Sequence, residues 1–530
     1  MPTIDRDSFI TLCQSAKTDS RILVVPLGIR LLSDQLTPVL AYRRLVSPDE
    51  RTAPSFLLES VEGGDRVGRH SLLGSRPTLE VFAKENIVEL TDLRTGQTTR
   101  RDNEDPFNIL RDFARQRRLL VPPGAVESGR LPSCVLGGWF GFAAYDSVRY
   151  AEPEKLAWDN APPDDRHLPD LHFAWYNSLV VFDHIDKLVH LVQLVEIKPD
   201  TDPGQAWDKA TQTLDQRADE IQRHSKPLPL GRVEAPGPAS PMPSNLTKAQ
   251  HAGMVEKALD YIRAGDIFQV VIGQRFERRS NADPFDVYRA LRAVNPSPYM
   301  VYLQARGCIL CASSPEILCR VRNDDTGSIV TNRPLAGTRK RGKTPEEDAA
   351  LEAELLADPK ERAEHVMLVD LGRNDVGRVA QAGTIDLSAL MTIERYSHVM
   401  HISSTVTGQL RDDLDAWDAL RAALPVGTVS GAPKIRAMQI IDELEPVRRG
   451  PYGGGMGWVS LDGQMDIALA LRTIVIPTNK APGDPWKFHI QAAGGIVADS
   501  KPEPEYQETV NKAAALARAI DLAEQAFTAK

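Results

Sequence analysis

The chain has 530 residues, 42% of them hydrophobic and 25% charged, with 63 basic and 72 acidic side chains and a net charge of −9. This composition is typical of a globular protein with a large core, and the mild acidity argues against a nucleic-acid partner, which needs a clustered basic face. The longest apolar stretch, residues 135–145, is shorter than the ~20 residues of a membrane-spanning helix. Because the first residues also show no apolar signal segment, we expect no membrane association and a cytoplasmic protein.

Residues 225–250 are rich in Pro, Gly and Ser and show no apolar period, which predicts a linker. We place this linker at residues 226–248, between an N-terminal domain (1–225) and a C-terminal domain (249–530). Both mix strand-like and helical patterns, and several strand-like runs follow one another without a helix between them. That order favours antiparallel pairing, so the predicted fold class is α+β with large antiparallel β-sheets.

Cys308 and Cys311 have the spacing of a zinc-binding pair, but no second pair of ligands follows at a suitable distance. They lie in an apolar run, which predicts buried thiols on a strand.

Two acidic helix starts share one spacing. Asp358 and Pro359 are predicted as N-cap and first residue of a helix, which places Glu361 and Glu364 one turn apart on one face. Residues 502–514 repeat the pattern with Glu505 and Glu508. Two such pairs can hold a hard dication that prefers oxygen ligands. A solvated first turn, favoured by the helix dipole, is the alternative, and the spacing alone favours it.

Residues 465–476 alternate as one strand, with Ile467 and Leu469 on one face and Ala468, Ala470 and Arg472 on the other. Two small residues beside an arginine leave room for a ligand, and guanidinium pairs naturally with a carboxylate. A structural Arg–Glu pair is the alternative. Nearby glycine clusters, at residues 452–457 and 493–495, permit either close backbone approach to an anion or ordinary turns.

These segments together resemble the chorismate-utilising enzymes, and among them the large subunits of anthranilate synthases. The matching motifs occur in the family's order through nearly the whole chain. They include FLLES (56–60), GGWFGFAAYD (137–146), RPLAGTRKRG (333–342), PKERAEHVMLVDLGRND (359–375), GTVSGAPK (427–434), YGGGMG (452–457), ALALRT (468–473) and AAGGIVADS (492–500). The resemblance implies the chorismate-binding fold, in which the large sheets form a sandwich flanked by helices.

The resemblance also implies roles for individual residues. Mg²⁺ would be bound by Glu364 and Glu508, with Glu361 and Glu505 supporting the site. The substrate-binding positions are Gly337, Thr338, Tyr452, Arg472, Ala493, Gly494 and Gly495. The catalytic positions, for proton transfer and positioning, are His401, Thr428, Glu316 and Glu361.

Two positions separate the relatives. Isochorismate and salicylate synthases carry a water-activating lysine where this chain has Gln269, and aminodeoxychorismate synthases typically carry a nucleophilic lysine where it has Ala336. The resemblance therefore implies ammonia as the nucleophile and conversion of chorismate to anthranilate and pyruvate, the first step of tryptophan biosynthesis. No cysteine lies in a glutaminase motif, so we expect a separate glutamine amidotransferase subunit, in a heterotetramer of two large and two small subunits.

The resemblance further implies feedback inhibition by tryptophan, at Glu59, Ser60, Pro298, Tyr299 and Met300. Three alternatives stay open: an aminodeoxyisochorismate synthase that retains pyruvate, a para-aminobenzoate-type synthase without its lysine, and a non-catalytic tryptophan-binding homologue.

Overall fold

A computed structural model describes residues 2–16, 20–60, 68–223, 230–233, 239–395 and 399–527. The α-helices in these ranges are α1 (Arg6–Ser15), α2 (Pro38–Leu45), α3 (Pro106–Arg115), α4 (Val148–Ala151), α5 (Pro203–Gln222), α6 (Lys248–Ala264), α7 (Pro284–Val294), α8 (Pro345–Ala357), α9 (Pro359–Gly377), α10 (Ala416–Ala423), α11 (Lys434–Leu444) and α12 (Pro502–Phe527). Within the described ranges, no helix has the length and apolar character needed to cross a membrane.

Strands before the linker are β1 (Ile22–Leu32), β2 (Ser55–Glu59), β3 (His70–Ser75), β4 (Leu79–Lys84), β5 (Ile87–Asp92), β6 (Gln97–Asp102), β7 (Arg117–Leu119), β8 (Gly138–Ala143), β9 (Leu171–Tyr176), β10 (Ser178–Asp183) and β11 (Leu188–Ile197). Strands after it are β12 (Gln269–Ser280), β13 (Tyr299–Ala305), β14 (Cys308–Ser314), β15 (Ile317–Asp324), β16 (Gly327–Asn332), β17 (Leu335–Lys340), β18 (Asp386–Arg395), β19 (Val399–Gln409), β20 (Gly431–Ala432), β21 (Gly455–Ser460), β22 (Met465–Leu469), β23 (Thr473–Pro477) and β24 (Trp486–Ile496).

The described strands form two twelve-stranded sheets. The first has the order β20-β12-β24-β23-β14-β13-β2-β3-β10-β11-β1-β7, and the second β17-β19-β16-β15-β22-β21-β8-β9-β4-β5-β6, with β18 paired to β19. Within these pairings β1–β7 is parallel and the neighbours elsewhere are antiparallel. The prediction of an α+β fold with large antiparallel sheets is therefore confirmed.

Strands from both sides of the linker contribute to each sheet. In the first sheet β2 pairs with β13, and in the second β8 pairs with β21. The two segments of the sequence therefore share both sheets. The stretch around the linker is described at residues 230–233 and from 239 onward, where Ser244 bridges to Phe276 of β12.

The two sheets pack face to face over an apolar layer. Phe56 of the first sheet stacks on Phe140 of the second, with ring centroids 4.0 Å apart, and Tyr176 meets both rings edge-on. Full burial of each such ring contributes about 2–3 kcal/mol to the hydrophobic effect. Separate apolar clusters lie on the outer faces, where α5, α7 and α12 cover the first sheet and α10 packs on the second. The sandwich flanked by helices is thus confirmed.

The predicted single strand over residues 465–476 is wrong. Its first part, β22, pairs with β15 and β21 in the second sheet, whereas its last part, β23, pairs with β14 in the first. The chain changes sheets at residues 470–472, where Arg472 adopts a left-handed backbone with φ of 45°. The alternation of apolar residues continues through this break, so the sequence pattern does not reveal it.

Cys308 and Cys311 are buried free thiols on β14, as predicted.

Candidate active site

The two acidic helix starts come together where α9, packed on β17 and β19 of the second sheet, approaches α12, packed on β24 of the first. Asp358 caps α9 as predicted, accepting from the N–H groups of Lys360 and Glu361 at 3.0 and 3.3 Å. Burial raises the pKa of Glu364, and the charges of Glu361 on the same helix and Glu508 on α12 raise it further. Burial and the charge of Glu508 likewise raise the pKa of Glu505. The four carboxylates predicted from the helix spacing therefore lie in one electrostatic cluster.

Two glycines let strands approach this cluster closely. A Cβ on Gly337 of β17 would lie 3.1 Å from Oε2 of Glu361, and one on Gly494 of β24 would lie 3.2 Å from Oε2 of Glu505. Gly337 also has φ of +68° and forms a bulge opposite β19. A side chain at either glycine would crowd the carboxylate, so the missing Cβ lets both strands approach these carboxylates closely.

Cations already engage part of the cluster. Arg339 lies 3.3 Å from Glu361, and Lys512 lies 2.7 Å from Glu508 while donating to the carbonyl of Ala493 at 2.9 Å. In this arrangement no three His, Cys, Asp or Glu side chains of the described residues converge closely enough to hold a metal ion. The donor set is nevertheless suited to Mg²⁺, because it is composed of carboxylate oxygens whose mutual repulsion a hard dication would relieve.

A second cluster centres on Glu316, which lies between β14 and β15 and is 4% exposed. Burial raises the pKa of its carboxyl to about 8, although a hydrogen bond from the Thr428 hydroxyl (3.4 Å) and the charge of Arg472 oppose that rise. The carboxyl is therefore largely protonated at neutral pH and can donate a proton. The structure thus brings together three residues that are far apart in the sequence.

His401 lies on β19 with Nδ1 3.0 Å from the carbonyl oxygen of Gly337 and 3.0 Å from the hydroxyl of Thr338. A carbonyl can only accept, so Nδ1 carries the proton and Nε2 is the accepting nitrogen. Burial lowers the pKa of His401 to about 4, and the charge of Arg472 adds to this lowering. His401 is therefore a neutral imidazole near pH 7, and Nε2 is the nitrogen that can accept a proton.

Contacts through shared neighbours join the two clusters into one site. Gly337 lies close to the carboxylate of Glu361, and its carbonyl oxygen accepts from Nδ1 of His401. Tyr452 packs against Ala493 and against Leu471, the residue before Arg472. Burial is the main cause that raises the pKa of Tyr452, and the charge of Glu508 adds to the rise. Every predicted catalytic, substrate-binding and metal-binding position therefore lies in a single continuous region.

Gln269, noted in the sequence as a replacement for lysine, also faces this region. A Cβ on Gly495 would lie 2.6 Å from its Nε2, and among the described atoms its buried Oε1 has no hydrogen-bond partner.

Sequence reasoning missed a buried ion pair beneath the site. Arg449 donates to the carbonyls of Val429 and Val271 at 2.5 and 2.6 Å, and it pairs with Glu445, which accepts from the N–H of Gly273 at 2.9 Å. Arg449 therefore ties the loop after Thr428 to strand β12. Its local sequence, EPVRRG, carries no pattern that would reveal this, because all its partners but Glu445 are distant in the chain.

The predicted feedback residues also lie together. Register in the first sheet pairs Glu59 of β2 with Met300 of β13. The Glu59 carboxylate accepts from the Tyr288 hydroxyl at 2.7 Å and from Arg292 at 3.1 Å. The hydroxyl of Ser60 is buried and has no hydrogen-bond partner among the described atoms.

Pro298 immediately precedes β13, and Tyr299 donates from its hydroxyl to Asp466 at 3.2 Å.

Comparison with known proteins agrees with this geometry. The family model described as "chorismate binding enzyme" matches residues 54–518. The chain belongs to the chorismate-binding enzyme family. Relatives within it include anthranilate synthase alpha subunit 1 of rice (Oryza sativa subsp. indica), 52% identical over 522 residues that cover 95% of this chain and 89% of the rice protein. Anthranilate synthase component 1 of Acetivibrio thermocellus is 42% identical over 94% of this chain and 95% of its own length.

Solved structures of other chorismate-binding enzymes share the architecture. Anthranilate synthase component I from Streptococcus pneumoniae superposes with a TM-score of 0.70 at 34% identity, covering 92% of this chain and 99% of that one. The isochorismate synthase MenF from Escherichia coli, at 19% identity and a TM-score of 0.65, shows the same fold.

Proposed function

We propose that this chain converts chorismate and ammonia into anthranilate and pyruvate, the reaction that opens tryptophan biosynthesis. The observation that carries the proposal is the joining of Glu316, His401 and Arg472 to a cluster of four carboxylates in one buried region. High identity to anthranilate synthase subunits over nearly the whole chain supports the same reaction.

Two separate groups of residues suit the two carboxylates of chorismate. The guanidinium of Arg472, with the hydroxyl of Tyr452, would hold the enolpyruvyl carboxylate through charge-assisted hydrogen bonds. Mg²⁺ held by Glu364 and Glu508, with Glu361 and Glu505 in support, would supply positive charge for the ring carboxylate. The backbone at Gly337 and Gly494 lies close to Glu361 and Glu505, and Ala493 packs against Tyr452.

In the first step the nitrogen of ammonia bonds to the ring and the ring hydroxyl leaves as water. The neutral carboxyl of Glu316 supplies the proton that the departing hydroxyl needs. Thr428 keeps that carboxyl oriented through its hydroxyl. The product of this step is the aminodeoxyisochorismate.

In the second step the bond between the ring and the enolpyruvyl oxygen breaks. Nε2 of His401 accepts the proton that leaves the ring, the electron pair aromatises the ring, and pyruvate departs after its enol form gains a proton. A neutral histidine is required for this role, and the depressed pKa of His401 supplies it.

The identity of the nucleophile follows from the side chains present. Gln269 and Ala336 stand where relatives use lysine to activate water or to attack the ring, so this chain needs a nucleophile from outside. Ammonia from a glutamine amidotransferase subunit fits, and we propose a complex of two large and two small subunits. Tryptophan would inhibit it at the pocket formed by Glu59, Ser60 and residues 298–300.

The deciding experiment supplies purified chain with chorismate, Mg²⁺ and excess ammonium at mildly alkaline pH. Anthranilate fluorescence with an equal amount of pyruvate, suppressed by tryptophan, is the expected result. An aminated product without pyruvate would instead identify an aminodeoxyisochorismate synthase. A folded chain that binds tryptophan and turns nothing over would be a non-catalytic homologue.

A further inference from the structure

The face of the first sheet that lies under α5 changes from apolar to polar at one end. Leu73, Val180 and Leu191 are neighbours on β3, β10 and β11 and belong to the apolar core. Two positions further along each strand, and so on the same face, stand Ser75, Ser178 and Gln193. These three polar side chains are at most 9% exposed. Buried polar groups on a core face require partners: Gln193 donates from Nε2 to the carbonyl of Leu194 at 2.9 Å, and Ser75 accepts from a side chain of α5. The row makes this end of the sheet polar.

Helix α5 adds a buried cation to this row. Arg217 lies on its inner face with Leu214 and Ala218, is 8% exposed, and donates from Nη1 to the hydroxyl of Ser75 at 2.8 Å. Among the described residues no carboxylate lies within ion-pair distance of it. Glu220, one turn further on, is 2.8 Å from Arg76 instead.

Burial lowers the pKa of Arg217 to about 10; the charge of Glu220 opposes this lowering and that of Arg76 adds to it. A buried guanidinium without a direct ion pair is unfavourable, and because burial outweighs the attraction of Glu220, the fold retains Arg217 at a cost in stability.

Arg217 opens into a cavity of about 780 Å³ between α5 and the sheet end. Ser178, Gln193, Trp175, Leu79 and Leu194 contribute to its lining. Charged side chains complete the lining, and the cations among them (Arg76, Arg94, Arg117, Lys198, Lys209 and Arg217) outnumber the carboxylates (Glu196, Asp200, Asp202 and Glu220). The volume falls within the range of small-molecule sites, and the excess of cations in the lining favours an anion.

This cavity is separate from both sites described above. No residue of the candidate active site lines it. Ser75 pairs with Ser55 at the start of β2, whereas Glu59 of the feedback pocket ends that strand, roughly 13 Å away at the usual rise of a strand.

We propose that this cavity binds a small organic anion whose carboxylate or phosphate group pairs with Arg217 and whose apolar part lies against Trp175. Ser178 and Gln193 supply the remaining hydrogen bonds. The bound oxyanion would form the direct ion pair that Arg217 lacks among the described residues, where Glu220 acts on it only from a distance and pairs with Arg76.

Thermal unfolding of the full chain tests this, with sodium phosphate or sodium benzoate added up to about 50 mM at constant ionic strength. Saturable binding should raise the Tm of the parent chain by about 2 °C. Arg217→Met should show no such rise, and its Tm without anion should equal or exceed that of the parent. Arg217→Gln, which keeps a donor for Ser75, guards against a packing defect in the methionine variant.

Two control variants distinguish anion binding at Arg217 from binding in the active site and from binding at the rim of the cavity. Arg472→Met removes the proposed anion-binding arginine of the active site, and Lys209→Met removes an exposed cation at the cavity rim. The rise in Tm should survive in both. If the rise in Tm is lost in Arg472→Met but kept in Arg217→Met, the anion binds in the active site and the proposal is overturned. The absence of any rise in the parent chain with either anion would also overturn it. A rise with phosphate alone identifies a phosphorylated ligand, and one with benzoate alone identifies a carboxylate.

Discussion

Arg449 donates from Nη2 to Oε1 of Glu445 at 2.6 Å, and both side chains are at most 4% exposed. The same guanidinium donates to the carbonyls of Val429 and Val271, so this pair fixes the loop that presents Thr428. Arg449→Met should leave a carboxylate buried without its partner and cost about 3–5 kcal/mol of unfolding free energy. Urea denaturation measures that loss.

The double variant Arg449→Met with Glu445→Gln separates stability from positioning. It removes both charges while keeping an acceptor for the N–H of Gly273, so most of the stability should return. The kcat of the double variant should stay at least about ten-fold below that of the parent, because the carbonyls of Val429 and Val271 have still lost their donor. Full recovery of kcat together with stability would show that Arg449 does not position the loop.

The carboxyl of Glu316 sets an alkaline limit on activity. With its pKa raised to about 8, it is protonated and able to donate below that pH and ionised above it. We therefore expect kcat/KM for chorismate to fall as pH rises through about 8, at a constant concentration of unprotonated ammonia. Because the hydroxyl of Thr428 lowers this pKa, Thr428→Val should move the fall to higher pH.

Thr407→Val is the matched control for that profile, since Thr407 lies six residues along β19 from His401 and has no part in the cluster. Its pH profile should coincide with that of the parent. A Thr428→Val profile that shifts to lower pH, or does not move, would remove Glu316 from the role of proton donor.

Much of the local structure could be predicted from the sequence, because the signals there are local. Asp358 and Pro359 are a local signal for the start of a helix. The helix geometry then places Glu361 and Glu364 on one face. Where a strand finds its partner is decided by distant residues. The break at Arg472, and the similar change of sheets at Asn177 between β9 and β10, lie inside continuous apolar patterns and could not be seen.

The same reasoning explains what was found and missed in the site. The family resemblance located Glu316, His401 and Arg472, although helix spacing alone favoured a solvated first turn for the carboxylates. Arg449 and Lys512 act through contacts with backbone carbonyls of remote strands, and such contacts leave no mark in a single sequence.

Magnesium dependence tests the carboxylate cluster. Glu364→Gln should abolish the activity that Mg²⁺ supports, and Glu361→Gln should raise the Mg²⁺ concentration needed by about 10–100-fold, as expected for a supporting residue. Steady-state rates across a Mg²⁺ titration measure both. Glu503→Gln is the control, since Glu503 lies in the same turn of α12 but is exposed and paired with Lys248. Equal Mg²⁺ curves for Glu364→Gln and the parent would refute the assignment.

The hydroxyl of Ser60 is buried and has no partner among the atoms that the structure describes, so we expect tryptophan to use it. Ser60→Ala should raise the tryptophan concentration for half-inhibition by about ten-fold, the worth of one hydrogen bond, with kcat nearly unchanged. Met300→Thr should act similarly from the opposite strand. Ser55→Ala, at the other end of β2, is the control and should leave inhibition intact. A collapse of kcat in Ser60→Ala would instead place Ser60 in the active site.

The pairing of β2 with β13 joins residues about 240 positions apart along the chain. During synthesis at about 5–20 residues per second, β2 therefore waits on the order of 10–50 s for this neighbour. Throughout that interval one edge of β2 presents unpaired backbone groups that another chain can join. Folding of this protein is thus exposed to aggregation at a defined strand, and co-translational chaperone binding there would protect it until residue 305 has emerged.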